Sequence, residues 1–210
     1  MDKKSTTQIV AIEGWPWVAA LGFVAVLFFL LSAVKLALFV LVLAAMAAFY
    51  FRNPERIADE GDLLAVTAPI DGRVESVTLQ ESGVAITLLN TPLDTHLLRA
   101  PCAARFVSLR RRGGLPGLPK GPLGPLAHHE EIVLQSEGPL GRVRMVLEPQ
   151  MALPRYYLKP DAPLFLTQRI GFFHGGRVTL LLPRSVELRL AIGDRVVGGE
   201  SAIGFIRSGQ

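Results

Sequence analysis

A single cysteine, Cys102, stands in 210 residues, so no intrachain disulfide can form and no cysteine-based zinc site can be built. Such sparse thiol use suits a reducing compartment and therefore a cytosol-facing domain. Acidic residues are the minority, 18 against 22 lysines and arginines, for a net charge of +4. That balance suits an anionic surface. The aromatic–basic interleaving and recognition-helix pattern of nucleic-acid binders are missing, so nucleic acid is not the expected partner. After residue 51 no amphipathic helical stretch of useful length occurs, and no heptads are present.

Charge is nearly absent from one long stretch. Between Trp15 and Phe51 the one charged residue is Lys35, and the rest is almost continuously apolar. A hydrocarbon core of ~30 Å takes ~20 apolar residues as a helix. As one helix this run would be about 55 Å long, too long to match a bilayer. Two segments, 15–34 and 36–51, turning near Ser32–Lys35 fit better, although the turn holds neither Gly nor Pro and a single spanning helix stays open. Lys3 and Lys4 before the run and Arg52 and Arg56 after it place positive charge on both flanks, as expected when both ends are cytoplasmic. The run exceeds a signal-peptide core, and no small-x-small cleavage site follows it. The expected layout is a membrane anchor over 1–51 and a domain over 52–210. The anchor would sit in the cell (inner) membrane with the domain facing the cytoplasm and lipid head groups as partners.

The domain reads as mainly β. Arg73–Leu79, Gly83–Leu89, Ala104–Leu109, Glu131–Leu134, Val143–Leu147, Val178–Leu182 and Val186–Leu190 are rich in Val, Ile and Leu. Arg110–His129 is punctuated by Gly and Pro and reads as an irregular loop. Its Arg110, Arg111, Arg112 and Lys120 form either a phosphate-contacting or a merely solvated surface. Tyr157–Phe173 and Leu190–Ile206 align without gaps, with Asp161 matching Asp194, Gly171 matching Gly204 and Phe172 matching Phe205. Two such copies predict a small sandwich or barrel ending in a biotinyl/lipoyl-like repeat.

Four short motifs have bland readings when taken singly. "YFRNPER" (Tyr50–Arg56) reads as an interfacial anchor, with rings at the head-group level and arginines among phosphates. In "APIDGRV" (Ala68–Val74), Asp71 reads as a turn residue. In "LNTPLDTHLLRAP" (Leu89–Pro101), Asp94 and His96 would share a face if the segment is extended. Arg99 reads as a surface charge or an anion contact. "HGGRVTLLLP" (His174–Pro183) is a Gly-Gly turn entering an apolar strand. The adjacent His and Glu of His128–Glu131 would splay apart on a strand, so a solvated strand entry is expected there and no metal site.

In this order and spacing the motifs resemble the phosphatidylserine decarboxylase family, most closely its short bacterial and archaeal form. The closing "LPRSVELRLAIGDRVVGGES" (Leu182–Ser201) is similar to that family's terminal segment. The resemblance implies removal of the carboxylate from phosphatidylserine, or from archaetidylserine in archaeal relatives, with no bound cofactor. A serine after glycine attacks the preceding carbonyl, the chain is cut by elimination, and the serine remnant becomes a pyruvoyl group that acts as an electron sink. It also implies Asp71 as the orienting carboxylate and His96 as the base. Arg99, His174 and Arg177 would bind substrate.

The serine itself is missing. Counting back from Arg177, the family's Gly-Ser falls on Gly175-Gly176; counting forward from Gly171, the segment is one residue short. Glycine has no hydroxyl to attack with and no β-carbon to eliminate from. Thr179 and Ser185 are the nearest hydroxyls beyond, and neither follows a glycine. The expectation is a non-catalytic paralogue that binds anionic lipid or aminophospholipid, as a homodimer or beside an active paralogue. Two alternatives stand against it. One is an active decarboxylase with an unrecognised nucleophile, and the other is an adaptor like the membrane-fusion proteins of export systems.

Overall fold

A computed structural model describes residues 9–56, 65–81, 83–117, 126–136 and 140–206. Lys3, Lys4 and Lys120 lie outside the described residues. The chain divides into two compact units, Met1–Glu55 and Arg56–Gln210.

The first unit is a helical pair, α1 (Trp15–Leu30) and α2 (Val34–Tyr50). Pro16 lies in the first turn of α1, where a missing N–H costs nothing. Leu31–Ala33 breaks the run with Ser32 at φ 60, so a serine in the left-handed region makes the turn that lacks Gly and Pro. The expected N-terminal transmembrane helix or spanning hairpin is overturned. At 16 and 17 residues, the helices extend about 24 and 26 Å at ~1.5 Å per residue. No helix among the described residues is long and apolar enough to cross a membrane. The buried helix positions are small or short, Ala25 on α1 and Ala37, Val40 and Ala44 on α2, which permits close backbone approach. The Arg52 guanidinium lies 4.2 Å from the Phe49 ring centroid and donates to the Phe49 carbonyl.

The elements described in the second unit are strands, β1 (Ala65–Thr67), β2 (Gly72–Gln80), β3 (Gly83–Asn90), β4 (Leu97–Arg99), β5 (Ala104–Arg112), β6 (His129–Gln135) and β7 (Arg142–Pro149), then β8 (Arg155–Tyr156), β9 (Pro163–Leu164), β10 (Arg169–Phe172), β11 (Gly176–Pro183), β12 (Val186–Leu188), β13 (Arg195–Val196) and β14 (Ala202–Ile206). An eight-stranded sheet has the order β13-β2-β3-β11-β7-β6-β5-β9, and two three-stranded sheets have the orders β1-β14-β12 and β4-β10-β8. One core joins them: Ile86, Leu88, Ile132, Met145, Leu147, Val178 and Leu180 from the large sheet meet Val66, Ile203, Leu98 and Ile170 from the small ones. Along β11, Gly176, Val178, Leu180 and Leu182 are buried while the alternating residues are half-buried, as period two requires.

The sequence repeat is distributed rather than gathered into one biotinyl/lipoyl-like module. Its first copy supplies β9, on one edge of the large sheet, and β10, the middle strand of a small sheet. Its second copy supplies β13, on the opposite edge, and β14, the middle strand of the other small sheet. The duplication therefore extends to a pseudo-twofold arrangement about the central pair β11 and β7.

Two expectations about the basic segment change. Arg110, Arg111 and Arg112 belong to β5, opposite Glu131, Glu130 and His129 of β6, so cross-strand charge pairing extends the strand into the expected loop. The His128–Glu131 segment is not solvated. His128 and Glu130 are buried, with His128 Nε2 2.7 Å from Glu130 Oε1. The Tyr156 hydroxyl donates to the other oxygen of Glu130, and Arg111 Nε lies 3.4 Å from Glu130 Oε1. Burial, then the Glu130 bond, push the Tyr156 phenol up. Tyr156→Phe leaves a buried carboxylate short of a donor and should cost about 2 kcal/mol in urea denaturation. Cys102 is buried as well, and burial pushes its thiol up to about 12. An aromatic disulfide reagent at pH 8 should label it roughly a thousandfold more slowly in the native protein than in urea.

Candidate functional site

Asp71 closes the Pro69–Asp71 bend between β1 and β2. Its Oδ1 accepts from the backbone N–H of Gly198 at 2.8 Å and its Oδ2 from that of Thr95 at 3.4 Å. Arg56 grips both carboxylate oxygens, and its Nη2–Oδ2 distance is 2.8 Å. The same guanidinium donates to the Gly198 carbonyl at 3.0 Å and to Thr95 Oγ1 at 3.2 Å. Its Nε lies 3.7 Å from Glu200. Burial alone would raise the Asp71 carboxyl, but Arg56 and the Gly198 amide outweigh it and hold it below the usual carboxylate range. The expected head-group role for Arg56 is therefore overturned: its side chain is 10% exposed and is spent on Asp71.

His96 sits just before β4 with no exposed surface. Its Nδ1 meets Asn90 Oδ1 at 2.9 Å. Asn90, the last residue of β3, also donates from Nδ2 to the carbonyls of Asp71 at 2.8 Å and Thr95 at 3.1 Å. One buried amide thus links the Asp71 turn to the His96 ring. The Phe172 ring packs between two imidazoles, 5.8 Å from His96 and 5.0 Å from His174 by centroid. Arg99 is buried, donates to the Thr167 carbonyl at 3.1 Å, and is lowered to about 10 by burial, then by Arg169 and Arg56. Arg169, Arg56, Asp71 and Glu200 all act on its charge, so a buried guanidinium sits within a cluster of both signs.

Gly175 and Gly176 lie at the mouth of β11. Gly176 is in register with Asn90 on one side and Pro149 on the other, so the Gly-Gly pair is joined through Asn90 to His96 and Asp71. The Gly175 carbonyl accepts from Gln150 N–H at 2.9 Å. Gly175 has φ +83 with its nearest atom 3.6 Å from a notional β-carbon. At Gly176, with φ +130, that β-carbon would lie 2.2 Å from the Glu148 carbonyl oxygen. Only glycine fits there.

Two sequence candidates stand elsewhere. Arg177 points to the other face of β11 and makes a bidentate pair with Glu75 at 2.6 and 2.8 Å. Asp94 closes its own turn, accepting from Thr91 N and Oγ1 at 2.9 and 2.6 Å, and so does not extend beside His96. Among the described residues no group of three or more His, Cys, Asp or Glu is gathered as a metal would need. Asn90, Thr95 and Arg56 belong to the site and escape sequence reading. All three fall inside quoted motifs, "YFRNPER" and "LNTPLDTHLLRAP", but nothing in those motifs marks them as partners of Asp71 or His96.

A family model for phosphatidylserine decarboxylase matches residues 43–204. The chain belongs to the phosphatidylserine decarboxylase family. Among relatives, the phosphatidylserine decarboxylase proenzyme of Geotalea uraniireducens (strain Rf4) is 34% identical, the alignment covering 98% of this chain and 100% of that protein. The proenzyme of Syntrophotalea carbinolica is 28% identical over 97% of this chain and 100% of its own length. That of Geotalea daltonii (strain FRC-32) is 26% identical over 93% and 95%. With membership of the decarboxylase family shown over nearly the whole length, the membrane-fusion adaptor alternative is set aside.

Proposed function

We propose that this chain is a phosphatidylserine decarboxylase-fold protein of phospholipid metabolism that stays uncut and binds aminophospholipid without decarboxylating it. It would work at the cytoplasmic face of the cell (inner) membrane, alone, as a homodimer or beside an active paralogue. The observation that carries this reading is the Gly175-Gly176 entry to β11, where the family's Gly-Ser is expected. The residues present do not fit a pyruvoyl group, since Gly176 offers neither Oγ nor Cβ, and its surroundings leave no space for one. Thr179 gives no substitute: it lies inside β11 with its Oγ1 3.0 Å from Thr87 Oγ1, in register with Thr87 rather than at the strand mouth. Anion recognition is assigned to Arg99, within the cluster of Arg56, Arg169, Asp71 and Glu200, with His174 beside Phe172. Family membership supports a phospholipid ligand.

The test uses purified full-length chain and vesicles of phosphatidylcholine with or without phosphatidylserine. Co-sedimentation should favour the phosphatidylserine vesicles, and Arg99→Gln should reduce binding roughly tenfold, since a hydrogen bond to a charged group is worth ~1.5–3 kcal/mol. Mass spectrometry of the lipid after incubation should show no phosphatidylethanolamine. Appearance of phosphatidylethanolamine would refute the non-catalytic reading, and equal binding to both vesicles would refute the lipid preference.

A further inference from the structure

We infer that Asn90 is a positioning residue that sets the tautomer of His96, with the proton on Nδ1 and the lone pair on Nε2. The Nδ2 of Asn90 faces two groups that can only accept, the carbonyls of Asp71 at 2.8 Å and Thr95 at 3.1 Å. Its NH2 must therefore point that way. Rotating the amide by half a turn would set an oxygen against both carbonyls and lose both hydrogen bonds of a residue with no exposed surface. The orientation of the amide is fixed by its neighbours and needs no choice between O and N. Oδ1 then faces His96 Nδ1 at 2.9 Å and can only accept, so Nδ1 must be the nitrogen that carries hydrogen. A buried amide thus does the orienting that a carboxylate does in a hydrolase-type triad. Unlike a carboxylate, it adds no negative charge beside the ring.

The inference concerns the same site as the proposed function but rests on the Asn90 contacts alone, not on the missing serine. Its test reads neither cleavage nor lipid turnover, so the two can fail separately. The protein is labelled with 15N-histidine and its two-bond imidazole correlations are recorded at pH 8. The His96 pattern is identified as the one missing from His96→Gln. In the wild type it should be that of an Nδ1–H ring. Asn90→Ala should move it toward the Nε2–H form that unconstrained imidazoles favour, while the patterns of His128, His129 and His174 stay in place. An Nε2–H pattern in the wild type would overturn the inference. An unchanged His96 pattern in a folded Asn90→Ala protein would overturn it too. Should Asn90→Ala fail to fold, the wild-type spectrum alone decides.

Discussion

Gly176→Ser should lower the stability of the strand domain by about 3 kcal/mol and yield no cleaved chain, although it restores the expected Gly-Ser pair. The atoms a β-carbon would strike are backbone, the Glu148 oxygen at 2.2 Å and the Gln150 nitrogen at 3.0 Å. Both belong to the region where β7 pairs with β11, so relief requires breaking the ladder at Pro149. The φ of +130 adds strain for any residue with a side chain. Gly175→Ser is the milder change, with 3.6 Å to its nearest neighbour, and should cost about 1–2 kcal/mol from its left-handed φ alone. Inserting a serine after Gly176 lengthens the turn instead of crowding it, so it is the variant in which cleavage is to be looked for. Urea denaturation of the three variants separates these cases. A Gly176→Ser protein within about 0.5 kcal/mol of wild type, the range of an ordinary surface change, would show that the strand entry is less tightly packed than described.

Arg56→Ala should cost about 3 kcal/mol at pH 7, because it strands the Asp71 carboxylate in a mostly buried bend. The pH dependence gives the effect its signature. In the wild type the Asp71 carboxyl is held below its unfolded value, so its contribution is fully present above that value, ~3.9, and is lost as the pH falls through the folded value. Without Arg56, burial is opposed only by the Gly198 amide and Thr95, so the carboxyl should sit higher than in the wild type. The gap between variant and wild type should then shrink as the pH falls from 7 toward 4. Urea midpoints at the two pH values measure it, and a gap independent of pH would mean that Arg56 acts by packing and not by charge.

Sequence alone located the longer strands, β2, β3, β5, β6, β7 and β11, because each carries a short run rich in Val, Ile and Leu bounded by turn residues. The helix pair was legible too, but its length was not. The turn at Ser32 depends on one residue accepting a left-handed φ, a choice serine does not advertise. Tertiary pairing hid the rest. β5 ran on through Arg112 because Glu130 and Glu131 lay across from it, and the repeat split between opposite sheet edges, which no alignment of its two copies could reveal. Within the site, Asp71 and His96 stood out by motif order, whereas Arg56 was masked by its position beside an apolar run. Asn90 was masked because its work is done by an amide with no motif of its own.

The intact mass of the purified, denatured chain reads out whether the peptide bond before β11 stays uncut. A single species at 22.8 kDa is the result predicted. Two pieces divided near Gly175-Gly176, the C-terminal one beginning with a ketone-blocked residue, would contradict it.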